Sequence, residues 1–252
     1  MKTALIAMAT AAALIFTSQA NAAPPVKNIV LVHGAFADGS SWSKVVPILQ
    51  AKGYNVTAIQ HPMNTLADDV AATKRALALQ NGPAILVGHS WGGAVITEAG
   101  NDPKVAALVY VAAFGPDVGE TLNGLGKGQP PMPAIAALQV DKEGWGSLPT
   151  DAVLKYFVQD LPKAEGLVVA ATQGPAHVTL FDTKLTTAAW KSKPSWFVVA
   201  KRDGTIAPDA ERFFAKRMNA TTIELDSDHV AMLSKPNEVA NVIMEAAAKA
   251  PH

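Results

Sequence analysis

Residues 85–94 read ILVGHSWGGA, and the fold turns on how this stretch is understood. An apolar, partly β-branched run stops at a serine set among small residues: Gly88-His89-Ser90-Trp91-Gly92-Gly93. A short apolar run closed by glycine reads as a buried strand. The GGAVITEAG that follows, residues 92–100, suits a buried helix. A serine at such a strand-turn-helix junction sits on a strained turn that lifts its hydroxyl above the strand ends. Side chains flanking the turn must be small, which accounts for Gly88 and Gly92. Gly93 lets the helix approach the sheet closely. The G-x-S-x-G pattern alone is permissive; its position between strand and helix gives it weight.

The surrounding chain repeats the alternation. KNIVLVHG (27–34), YNVTAIQ (54–60) and KVAALVYVAAF (104–114) read as further strands. Val45, Ile48 and Leu49 share a helical face that Gly53 ends. Leu66, Val70, Thr73 and Leu77 line a second. After a lapse come the strands SWFVVA (195–200) and TTIEL (221–225). Between them lies a helix, PDAERFFAKRM (208–218), with Pro208 near its start and Ala210, Phe213 and Phe214 turned inward. A last helix carries Val239, Val242, Ile243 and Ala246 on one face. Strands alternating with helices, without tight hairpins, predict a mostly parallel sheet flanked by helices. The lapse covers about residues 115–194, is rich in Gly and Pro, and is too long for a simple loop. It reads as a small, mainly helical cap over the sheet.

The chain has 252 residues, of which 49% are hydrophobic, enough for one large domain with its own core. Acidic and basic residues balance at 21 each, without long charged blocks, so nothing points to nucleic acid or an anionic membrane. The absence of cysteine excludes disulfides, thiolate metal sites and a cysteine nucleophile. At the N-terminus, Lys2, the apolar run ALIAMATAAALIF and the small-residue sequence Ala20-Asn21-Ala22 form a secretory signal peptide over residues 1–22. The apolar run is short for a bilayer span. Residues 23–252 are then the mature protein, periplasmic or secreted and without a stable membrane anchor.

A serine hydroxyl needs a base to act as a nucleophile. Six histidines are available. His33 and His61 close the first and second strands, His89 precedes Ser90 and is expected to turn away from it, His177 lies in the cap, and His252 is the last residue. In a triad ordered Ser, acid, His along the chain, only His229 and His252 can close the order, and only His229 follows a strand. Asp203, in VVAKRDGTIAP just after the penultimate strand, is the favoured acid. Asp117, after the fourth strand, is its rival, while Asp226 and Asp228 stand too near His229 in sequence. The first strand ends in His33-Gly34-Ala35. One oxyanion-hole amide is expected from this loop and one from the residue after the nucleophile, which nominates Ala35 and Trp91, with Phe36 as a near alternative.

With LVHGAFADGSSW, GHSWGG and DSDHVAMLSKP in view, the chain resembles the α/β-hydrolase superfamily from about Lys27 to Ala248. Within it, these motifs are similar to small bacterial serine esterases of the pyrethroid-carboxylesterase type, to plant methyl-ester esterases and to hydroxynitrile lyases. The resemblance implies a triad of Ser90, Asp203 and His229 that needs no metal or cofactor. It also makes the cap the wall of the substrate pocket. Hydroxynitrile lyases of this group carry a lysine directly after the catalytic histidine; Val230 stands there instead. The aspartate-nucleophile branches are excluded by Ser90. Trp91 is a bulky departure beside the nucleophile, placed either to narrow the pocket or to pack under the cap. The expected activity is cleavage of a small, hydrophobic carboxylic ester through an acyl-enzyme. Lactonase, amidase or cofactor-free perhydrolase chemistry on the same residues, or a ligand-binding receptor on this fold, are the alternatives. Trp145, Tyr156, Phe157 and Trp190 read as cap core rather than pocket lining.

Overall fold

The computed structural model describes residues 25–251, so the leader read over residues 1–22 and the terminal His252 lie outside the described part. The first three inner strands along the chain are β1 (Asn28–Val32), β3 (Ala84–Ser90) and β4 (Val105–Ala113), and every residue in them is buried. Their near-continuous apolar sequence is what strands covered on both faces require. β2 (Asn55–Ala58) forms one edge; between them the chain adds α1 (Val45–Ala51), α2 (Leu66–Ala78) and α3 (Trp91–Ala99). β3 and β4 are parallel, and their register shifts between His89 and Ser90, where the strand gives way to the turn.

Between Ala113 and Ser195 the chain leaves the main sheet. The insertion is mainly helical, as expected, but it also holds a small sheet. Short helices are present, the longest being α4 (Lys163–Thr172), but so is a three-stranded antiparallel sheet of β5 (Gln139–Val140), β6 (Trp145–Ser147) and β7 (Ala176–His177). Strands of two or three residues carry no readable periodicity, so the pattern could not announce them.

The alternation resumes with β8 (Ser195–Ala200), α5 (Pro208–Arg217), β9 (Thr221–Leu225) and α6 (Pro236–Lys249). The main sheet has six strands in the order β2-β1-β3-β4-β8-β9, every pair parallel. After β1 the chain moves to one edge, and from β3 onward it moves to the other. The switch point therefore lies between the carboxyl ends of β1 and β3, where open α/β sheets form their binding crevice. α1 packs with α6 on one face; α2 packs with α3 on the other.

One helix has a different phase from that expected. In α5, Glu211, Phe214 and Ala215 are buried, whereas Phe213 is 53% exposed and its ring stacks on the Arg217 guanidinium. Glu211 takes the inward position because its carboxyl oxygen accepts the Ala200 N–H at 3.0 Å, closing the end of β8.

Candidate active site

Ser90 ends β3 with φ +52° and ψ −121°, a conformation costly for a residue bearing a Cβ. The glycines around it are there for space. A Cβ on Gly88 would meet the Gly92 carbonyl at 2.5 Å, and one on Gly92 would meet the carbonyls of Val32 and His33 at 2.6 and 2.7 Å. A Cβ on Gly93 would run into the Phe114 carbonyl. The first turn of α3 is thereby pressed onto the ends of β1 and β4. A Cβ on Gly34 would lie 2.6 Å from that of Ser90, so the loop after β1 passes directly beside the serine.

The crossovers bring the other two candidates to the same end of the sheet. Asp203 follows β8 and His229 follows β9, and both side chains are fully buried. His229 Nδ1 donates to Asp203 Oδ2 at 2.5 Å. Asp203 Oδ1 accepts the amides of Thr205 at 2.6 Å and Ile206 at 2.8 Å, which fixes the carboxylate plane. His229 Nε2 has no hydrogen-bond partner among the described residues. The imidazole is thus held through one nitrogen, leaving the other free to accept a proton. Ala35 and Trp91, the candidate oxyanion donors, are buried on either side of the Ser90 turn. Phe36, the alternative, takes φ +58° in the same loop.

The model of the alpha/beta hydrolase family matches residues 29–242. The chain belongs to that family. It is similar to Esterase PIR7B of Oryza sativa subsp. japonica, with 29% identity over 88% of this chain and 96% of the relative. It is likewise similar to a carbendazim hydrolyzing esterase of Nocardioides sp. (strain SG-4G), 28% identical over 84% of this chain and 96% of that one. In fold it is similar to a pyrethroid hydrolase from Sphingobium faniae JZ-2, with TM-score 0.77 and 24% identity, covering 89% of this chain and 98% of that structure. The chain is therefore an enzyme, a hydrolase of the carboxylesterase-like kind.

Around the candidate triad the hydrolase has supports that its sequence did not announce. His89 does not simply turn away from the site. Its Nε2 donates to the His229 carbonyl at 2.9 Å, and the two rings lie 4.6 Å apart. Burial, and then the His229 ring, hold the His89 imidazole well below its usual range, so it is neutral. The loop bearing His229 is also latched to the cap. Asp160 and Asp228 exchange backbone N–H for carboxylate bonds at 3.0 and 2.9 Å. Arg202 forks onto Asp160 at 2.7 Å and reaches Asp226 at 2.8 Å. Burial above all lifts the Asp228 carboxyl to about 6.

Glu211 stands behind Asp203. Burial, and then the neighbouring Asp203 carboxylate, push its carboxyl well above the usual range, so it holds its proton. The raised value has a consequence for stability. Below the unfolded-state value both states are protonated, and folding is unaffected. As pH rises from the unfolded-state value to the folded-state value, the unfolded chain releases its proton while the folded one keeps it, and stability is lost until the folded-state value is passed. Glu211→Gln keeps an acceptor for Ala200 N–H but cannot ionise. The difference in melting temperature, variant minus wild type, is expected to grow from pH 5 to pH 8; a difference independent of pH would contradict this placement.

The rival acid is elsewhere. Asp117 pairs with Lys191 at 2.6 Å on a partly exposed turn and makes no contact with His229. In the cap, His177 bonds Thr179 and the Glu143 carbonyl, away from the triad. The cap aromatics divide. Trp190 is core and donates to the Pro116 carbonyl at 2.9 Å. Phe157 is buried against the His229 ring, 4.9 Å between centroids. Trp145 instead lines a cavity of about 850 Å³, bounded on the other side by His33, Ala37 and His61. Trp91 packs under the cap, with Phe181 edge-on at 6.0 Å.

Proposed function

We propose that the protein is a serine carboxylesterase acting on small, hydrophobic esters through Ser90, His229 and Asp203. In this reading Ser90 attacks the ester carbonyl while His229 Nε2 takes its proton. The amides of Ala35 and Trp91 hold the oxyanion, and Asp203 stabilises the imidazolium. His229 then protonates the departing alcohol. A water molecule, deprotonated by His229, releases the acyl group from Ser90. Chemistry of this kind asks for no metal or cofactor.

The observation that carries the reading is the buried His229, bound through Nδ1 to Asp203 with Nε2 free, at the sheet end that presents the strained Ser90. The aromatic surroundings favour an apolar substrate: Phe157 covers His229, and Phe181 sits 6.4 Å from Phe36 and 6.0 Å from Trp91. Relatives named for hydrolysing carbendazim and pyrethroids support a small organic substrate. Export through the leader of residues 1–22, leaving the mature enzyme in the periplasm or medium, belongs to the same reading.

A panel of p-nitrophenyl esters from acetate to decanoate, a γ-lactone and an acyl anilide tests it. Short-chain esters are expected to be cleaved fastest, with the anilide slower. Faster turnover of the lactone or anilide would replace the esterase reading with lactonase or amidase. Binding without turnover of any of them would favour a receptor.

A further inference from the structure

Asp69 occupies the first turn of α2 on the face turned to the sheet, and its side chain is fully buried. A buried carboxylate is costly unless its oxygens are saturated. Trp91 Nε1 donates to Oδ2 at 2.8 Å, and the Met63 amide donates to Oδ1 at 2.9 Å. His61 Nδ1 lies 3.1 Å from the same Oδ1. The His61 ring, also buried, continues the chain of contacts: its Nε2 donates to the His33 carbonyl at 3.0 Å, and it stacks on the His33 ring at 3.9 Å. A carbonyl can only accept, so Nε2 carries a hydrogen. Burial, and then His61, lower His33 to about 4, so the stacked partner is neutral.

These contacts converge on the two sides of the site. One carboxylate is bonded directly to Trp91, whose amide is one candidate oxyanion donor. Through His61 it is tied to His33, two residues before Ala35, the other. The Gly92 turn is already pressed against the Val32 and His33 carbonyls, so a shift on either side is transmitted to the other.

We propose that Asp69 is a positioning residue that, through Trp91 on one side and His61 on the other, sets the spacing of the two oxyanion-hole amides. This deepens the esterase reading and rests on it. An oxyanion hole works when its donors lie within about 2.7–3.1 Å of the oxygen as charge develops. Loosening it should weaken the transition state and spare the bound ester. The loss should therefore fall on kcat rather than KM.

The test uses Asp69→Asn, Trp91→Phe and the double variant, with kcat and KM for p-nitrophenyl acetate, affinity for a trifluoromethyl ketone, and melting temperature. Trp91→Phe keeps an aromatic ring and the backbone amide and removes the indole N–H together with part of the ring; melting temperature reports the packing lost. Each single variant is expected to lower kcat about tenfold or more with KM within about threefold, and to weaken the ketone in parallel. The double variant should lose little more than the worse single one, because both remove the same link. Unchanged kcat in folded Asp69→Asn, whatever its melting temperature, would overturn the proposal. So would losses that multiply in full in the double variant. If Asp69→Asn does not fold, Trp91→Phe decides alone: unchanged kcat overturns the proposal. A folded wild type that neither cleaves the ester nor binds the ketone overturns the esterase reading, and this one with it.

Discussion

Replacing Ser90 with alanine is expected to lower kcat for p-nitrophenyl acetate by roughly 10⁵-fold or more, to the residual catalysis set by the oxyanion amides and binding alone. The protein should stay folded. Only the hydroxyl is lost, and the alanine must occupy the same φ of +52° that Ser90 already tolerates. The steepness of the loss follows from the site's construction. His89 is bonded to the His229 carbonyl, and the flanking glycines bring backbone rather than side chains to the turn. No neighbouring hydroxyl or thiol takes the place of Ser90 on the turn, and the chain has no cysteine. Turnover within a hundredfold of wild type, measured on a preparation free of revertant protein, would remove Ser90 from the chemistry.

Asp203→Asn is expected to lower kcat by about 10⁴-fold without unfolding the protein, and the reason lies in which atom is held by what. Oδ1 accepts two backbone amides, from Thr205 and Ile206, so the oxygen of an asparagine must stay there. The asparagine NH₂ then faces His229 Nδ1, where Asp203 Oδ2 had accepted a proton at 2.5 Å. An NH₂ facing that nitrogen forces it to accept. The imidazole proton moves to Nε2, the nitrogen that must take a proton from Ser90. Geometry survives and the tautomer is wrong. A loss of tenfold or less would mean that His229 is oriented by other means, such as His89 at its carbonyl.

Much of this organisation is written locally in the chain. β1, β3 and β4 are legible because strands buried on both faces need unbroken apolar runs, and Gly88, Gly92 and Gly93 are legible because a Cβ at each would strike backbone. Asp203 and His229 could be nominated because each directly follows a strand, and parallel topology puts all strand ends at one side. What could not be read is what depends on pairing at a distance. The Asp69–Trp91 bond spans 22 residues and the His89–His229 bond 140, with no periodicity connecting them. Asp69 looks like an ordinary first-turn acid beside the exposed Asp68, which serves the Thr65 cap. In α5, apolar count placed Phe213 inward, but the need of the Ala200 N–H for an acceptor turned Glu211 in and left Phe213 to Arg217. The small sheet of the cap is made of strands too short to show alternation.

Everything proposed for this site depends on Ser90 being an activated nucleophile. Intact-mass analysis of the protein after exposure to a fluorophosphonate, comparing wild type with Ser90→Ala and His229→Ala, reads that property without a substrate. One adduct is expected on wild type, mapped to Ser90, with none on Ser90→Ala and labelling slowed by orders of magnitude in His229→Ala. An adduct on another residue, or equal labelling in the absence of His229, would contradict it.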